Sequence, residues 1–180
     1  GEPPDAEQES VELETALEVA KAAGETETEP PIEEVTLDSE QDGKPAEDEP
    51  DTYALRLEFW GQLLEKARER TPRFENSSPN KRHWIWANAG TVRTGYAYVI
   101  RTHDAQVELY IDKGNRQVNK RIFHQIRKGK DRAESVFGEP LDWQRLDDKR
   151  ACRVRYVISD GGLRDRERWS QIQEAMVDAM

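Results

Sequence analysis

The sequence predicts an α+β domain over residues 51–180, in the order α-β-β-β-α-β-β-α. Its five-stranded, mainly antiparallel sheet is covered by helices, and a disordered acidic arm over residues 1–50 precedes it. Three observations lead there. First, the charge is split. Residues 1–50 hold 18 Asp/Glu against 2 Lys, a formal −16, whereas residues 51–180 hold 25 Lys/Arg against 19 Asp/Glu, a formal +6. Every Trp, Tyr and Phe lies between Tyr53 and Trp169, so the arm lacks the apolar surface that would offset the entropy of ordering. Second, the hydrophobic period changes once, in the middle of the body. Val107, Leu109 and Ile111 alternate with Glu108, Tyr110 and Asp112, as in a half-buried strand. After Lys113-Gly114-Asn115, the residues Val118, Ile122 and Ile126 recur every four, with Phe123 beside them, as on the buried face of a helix. Third, the strand-like runs are joined by connections short enough to force antiparallel neighbours.

The arm contains a nascent-helix pattern from Ser10 to Gly24 and an extended segment, Pro30–Leu37, that could dock elsewhere; composition favours a solvated linker. Tyr53 to Arg70 is the first helix, its apolar face made by Leu57, Phe59, Trp60, Leu63, Leu64 and Ala67. It is ended by Thr71-Pro72, because proline disfavours helix in the residue before it. Phe74–Asn80 reads as a polar loop. Strands follow at His83–Ala87, Tyr96–Arg101 and through the central stretch, with a turn between Gly90 and Gly95. Asn115 is a candidate N-cap for the central helix. Lys128-Gly-Lys-Asp131 weakens the helical pattern, which resumes through Ala133, Val136 and Phe137 and stops at Gly138-Glu-Pro140. Leu141–Leu146 and Arg150–Ile158 form a hairpin around Asp147-Asp-Lys149. In its second strand Cys152, Val154, Tyr156 and Ile158 share one face and Arg153 and Arg155 the other. After Gly161-Gly162, a last helix runs from about Asp165 to the end, with Trp169, Ile172 and Met176 along one side.

Cys152 is the only cysteine, which excludes an intramolecular disulfide and a thiolate zinc cluster; it reads as a buried small hydrophobe. No apolar run approaches the ~20 residues needed to span a bilayer, and no signal peptide is visible, so a soluble cytoplasmic protein with no membrane partner is expected. Gly1 in place of Met points to a segment of a longer polypeptide.

Within the predicted order, the run helix, three strands, helix, strand is also the core order of the restriction-endonuclease-like nucleases, whose sites need clustered carboxylates and a lysine spaced acid-x-Lys to hold a metal against phosphate. Here Glu108 is followed two residues on by Tyr110 and Asp112 by Gly114, while Asp112 and Lys113 are adjacent and point to opposite faces. The signature fails, and no catalytic residue is assigned. His83, His103 and His124 lack metal-ligand spacing, and no phosphate loop, nucleophile elbow or triad pattern is present. No cofactor or metal site is expected.

The basic residues carry more. Arg116, Lys120, His124 and Arg127 are spaced four, four and three, on one helix face. Lys128, Lys130 and Arg132 extend that face, with Arg93 and Lys113 in turns that border it. Lys81-Arg82-His-Trp84-Ile-Trp86 interleaves cations with large aromatics, a combination that holds phosphates and stacks bases. Against this stands the ordinary fact that a helix with one buried side needs a solvated one. The arm, tethered to a basic body, would compete with nucleic acid or simply act as a spacer.

The segment Tyr53–Met180 resembles a prokaryotic family known as domain of unknown function 4268. The matching pieces are Arg56-Leu-Glu-Phe-Trp60, Val107-Glu-Leu-Tyr-Ile-Asp112, Asn119-Lys-Arg-Ile-Phe123, Glu134-Ser-Val-Phe-Gly138, Leu141-Asp-Trp143 and the Trp169 helix. The resemblance implies a C-terminal module of a larger protein with a nuclease-like domain in the same polypeptide, in some cases one that defends against foreign DNA. It implies no catalytic residues, and a last helix that continues past Met180. The expectation is therefore a non-catalytic accessory domain of a DNA-directed protein that contacts nucleic acid. The alternatives are a protein-interaction or oligomerisation module, marked by an exposed Trp84 or Trp86, and a divergent nuclease in which Glu108, Asp112 and Lys113 converge.

Overall fold

The computed structural model describes residues 50–91 and 94–180. The arm, with its Ser10–Gly24 and Pro30–Leu37 segments, and Arg93 lie outside the described residues. Helix α1 spans Pro50–Arg70, starting three residues before the expected Tyr53. Proline suits a first helical position, where the missing N–H has no intrahelical partner. Phe59, Trp60, Leu63, Leu64 and Ala67 are fully buried, while Leu57, at the edge of the stripe, is exposed. The Thr71 side chain then accepts from Arg73 N and starts a single 3-10 turn, Pro72–Phe74. Phe74 is not part of a polar loop: it is buried against Tyr98, with ring centroids 4.5 Å apart.

The strands are β1 (Trp84–Thr91), β2 (Thr94–Ile100), β3 (Ala105–Ile111), β4 (Asp142–Gln144) and β5 (Cys152–Ile158). They form one sheet in the order β1-β2-β3-β5-β4, and all four pairings are antiparallel. The stretch with the period change supplies the central strand. β1 continues past the expected Ala87 to Thr91. Its register shifts between Asn88 and Thr91, where Gly90 takes φ +85° and Asn88 Oδ1 accepts from Gly90 N.

Helix α2 is Arg116–Arg127, α3 is Lys130–Phe137 and α4 is Trp169–Asp178. The weak point at Lys128-Gly129 is a complete break, so the expected single central helix is two. A 3-10 turn at Arg166–Arg168 leads into α4. All four helices lie on one face of the sheet. At one end, α1 and α4 bury Phe59, Trp60, Leu63, Trp169, Ile172 and Met176 against Ile85, Tyr98, Ile100, Val107 and Ile158. At the other end, α2 packs Phe123, Ile122 and Ile126 on Ile111, Cys152 and Val154. α3 follows through Phe137, edge-on to Tyr156. Cys152 is a free, buried thiol within this second cluster, as expected.

The opposite face carries none of these helices, yet β3 is buried on both sides, not half-buried. Glu108 is 2% exposed, and Gln106 and Tyr110 are equally withdrawn. Long side chains from β5 lie across them: Arg153 Nη1 is 3.2 Å from Glu108 Oε1, and Arg155 Nη1 donates to Gln106 Oε1 at 3.2 Å. Arg153 Nε also donates to Gln144 Oε1, and Arg155 Nε to Asp142 Oδ2, so the layer reaches the β4 edge. Burial pushes the Glu108 carboxyl up against the pull of Arg153 and Arg155.

Candidate nucleic-acid interface

Helix α2 begins as its sequence requires. Asn115 is extended and its side chain accepts from Val118 N, which satisfies one of the four free donors of the first turn. Which side then faces inward differs from the expectation. The buried residues are Asn119, Lys120 and Phe123, with Ile122 and Ile126 half-buried, while Val118 is exposed. At 100° per residue, the mean direction of these five inward residues is rotated by roughly 70° from the Val118/Ile122/Ile126 stripe. That rotation divides the basic residues into two groups.

The inner group fastens the helix. Lys120 is 9% exposed, and its Nζ donates to three backbone carbonyls, Arg145 at 2.5 Å, Leu146 at 2.6 Å and Ala151 at 2.9 Å. All three lie in the β4–β5 hairpin, where Leu146 takes a positive φ of 52°. Lys120 is thus a clamp on the hairpin and does not lie on the outward face where it was expected. Arg116, one turn earlier, donates to the carbonyl of Asp147 in the same hairpin. Lys130 is ion-paired with Glu134, whose carboxylate also accepts from Leu141 N and Trp143 Nε1.

A second joint holds the start of α2. Asp112 Oδ1 accepts from Gly114 N, Asn119 Nδ2 and Arg150 Nε, and Oδ2 from Arg150 Nη2 at 2.6 Å. Fully buried Asn119 returns a bond from Lys113 N to its own Oδ1 and donates to Arg150 O. Burial works to raise Asp112, but the donors of Arg150, Gly114 and Asn119 outweigh it and hold the carboxyl below its ordinary range. A depressed carboxyl contributes stability above its unfolded pKa of about 4, and that stability is lost as pH falls through the folded value. Asp112→Asn is therefore expected to lower the melting temperature at pH 7, with the gap to the unaltered chain narrowing as the pH falls below about 4 and closing below the folded value. A gap that stays constant across that range, read from thermal melts, would refute this.

The outer group faces solvent. Arg121, His124 and Arg127 on α2, Lys128 at its C-cap and Arg132 on α3 are exposed, and the four Lys and Arg among them have no ion-pair partner among the described residues. Residues 116–132 hold seven Lys/Arg against the single acid Asp131, a net +6, equal to the net charge of the whole body. Arg121 is the member that the sequence reading passed over. It lies opposite Asn119 and Phe123, and only treating Asn119 as an inward residue would have placed it outermost.

The other expected contacts sit elsewhere. Lys113 is half-buried, and burial pushes its amine down. Exposed Lys81 holds its Nζ 5.4 Å over the Tyr53 ring, and Arg82 covers the Trp84 ring at 5.0 Å. Trp84 itself is 9% exposed, so it offers no stacking surface. Trp86 is half-buried, edge-on to Tyr110 and laid directly over Gly95. Neither tryptophan is the exposed marker that an interaction module would need. The strand register also separates this group from α2. Trp84 is in line with Val99 and Gln106 near the Ala105 end of β3, whereas α2 packs at the Ile111 end. From Gln106 to Ile111 is about 17 Å at ~3.3 Å per residue, and β1 lies two strands further out. The Lys81–Trp86 stretch and the helix face therefore do not form one surface.

Glu108, Asp112 and Lys113 do not converge either. Glu108 points from mid-strand into the Arg153 and Arg155 layer, whereas Asp112 is taken up by Arg150 and Asn119 past the strand's end. Among the described residues no three His, Cys, Asp or Glu side chains are grouped to hold a metal ion, and no helix is long and apolar enough to cross a membrane.

A family model described as "Domain of unknown function (DUF4268)" matches residues 55–180. No curated protein and no solved structure matches the chain.

Proposed function

The chain belongs to the family described as a domain of unknown function (DUF4268), and from that membership and the geometry above we propose a non-catalytic accessory module of a DNA-directed protein. In this reading the module works in the bacterial cytoplasm beside a nuclease-like domain of the same polypeptide, in defence against foreign DNA. It contacts nucleic acid through Arg121, His124, Arg127, Lys128 and Arg132. The observation that supports this is the concentration of the body's whole net charge, +6, in the seventeen residues 116–132, with four outward cations left unpaired. Neutralising phosphates with such cations releases condensed counterions, which is the main source of non-specific affinity. The Lys120 clamp and the Asp112 joint hold the cations on a fixed scaffold, so little entropy is lost on contact.

Titration of fluorescent DNA with the full chain at low salt tests this directly. Binding in the micromolar range that weakens steeply with added salt is the expected result. An anisotropy that stays flat at low salt would overturn the reading.

A further inference from the structure

Resting on that reading, we infer that the nucleic acid this surface takes is duplex DNA, gripped by its phosphates and without regard to sequence. Single-strand binders hold successive bases on aromatic rings, and each stacked base contributes about 1–3 kcal/mol. The α2–α3 surface has no exposed Trp, Tyr or Phe: Phe123 is 1% exposed and Phe137 is turned against Tyr156. The tryptophans that the sequence interleaves with cations are no substitute, since Trp84 is buried and Trp86 is packed over Gly95 at the far side of the sheet.

What the surface offers instead is a rigid row of charge. Arg121 and His124 on α2 and Lys128 at its C-cap share the outward side, and the seven residue steps from Arg121 to Lys128 span about 10 Å at 1.5 Å per residue. Arg127, the last residue of α2 and two turns beyond Lys120 on the same side, is exposed, as is Arg132 on α3. The helix cannot roll to follow a flexible strand, because Lys120, Arg116 and Asn119 tie its inner side to the hairpin. A fixed row suits a partner whose charges are themselves fixed and dense. Duplex DNA presents one charge per ~1.7 Å of axis.

The test is fluorescence anisotropy of the full chain with two duplexes of unrelated sequence and with one strand of each, across 25–200 mM salt. Four phosphate contacts predict a slope of log K against log salt of about −3.6 on duplex, or roughly a 100-fold loss between 50 and 200 mM. Both duplexes should bind alike and more tightly than their strands. Removing two cations in Arg127→Ala/Lys128→Ala should reduce the slope by about 1.8. Tighter binding to single strands, or a tenfold preference for one duplex, would overturn this inference while leaving nucleic-acid contact intact. Absence of binding to every probe would overturn both.

Discussion

Lys120→Met is expected to be the most damaging substitution on the basic helix, and to act through stability. Methionine keeps the volume and the apolar stem but removes the donor shared by Arg145 O, Leu146 O and Ala151 O. Buried acceptors left without partners cost about 1–3 kcal/mol each. Some of the three carbonyls would reach water as the hairpin relaxes, so a net loss of about 3 kcal/mol is expected, with a fall in melting temperature of about 10 °C. The positive φ at Leu146 adds to this, because a strained residue persists only while its surroundings hold it there. Lys120→Arg should fail to rescue, since a planar fork cannot replace a compact three-donor head in this space. A methionine variant that melts with the unaltered chain would show that the clamp contributes nothing.

Gly95→Ala is the second large effect expected. A Cβ at this position would stand 2.3 Å from Trp86 Cζ2, 2.4 Å from Cε2 and 2.5 Å from the carbonyl oxygen of Ala87. The carbonyl belongs to the paired strand β1 and cannot retreat without breaking the ladder, in which Ala87 pairs with Tyr96 and Asn88 with Gly95. The tryptophan would have to leave its place against Tyr110. Forced overpacking of this kind costs about 1–3 kcal/mol, and the backbone contact puts this case at the upper end. Loss of near-ultraviolet circular dichroism from Trp86, with a lower melting temperature, is the expected signature. An unchanged spectrum and melt would mean that Trp86 does not lie over Gly95.

Much of the architecture was legible because it depends on local periodicity. The alternation at Val107, Leu109 and Ile111, the change of period after Asn115 and the Asp147–Lys149 turn fix a central strand, a capped helix and a hairpin, each of them confirmed. The site was less legible because its decisive contacts are long-range and involve polar residues. Asn119 reads as solvent-facing by type, yet it is fully buried, because Asp112, Lys113 N and Arg150 O meet its hydrogen-bonding needs. That one residue turned the helix and moved Lys120 from the outside to the inside. The acceptors of Lys120 lie 25 to 31 residues downstream, so nothing near it in sequence distinguishes a clamp from a phosphate ligand. Glu108 was misread for the same reason, since its cover comes from Arg153, 45 residues downstream. Phe74 and Trp84 show the reverse case, large rings in polar company that the core claims.

The central claim is that α2 uses its inner cations for structure and its outer ones for nucleic acid. One variant, Arg121→Ala/Arg127→Ala/Lys128→Ala/Arg132→Ala in the full chain, tests it most directly. Its affinity for duplex DNA at low salt would be measured beside its melting temperature. The account predicts binding weakened at least tenfold and nearly insensitive to salt, with a melting temperature within about 2 °C of the unaltered chain, because exposed, unpaired side chains contribute little to stability. Undiminished binding by that variant would contradict the account and move the interface off this helix.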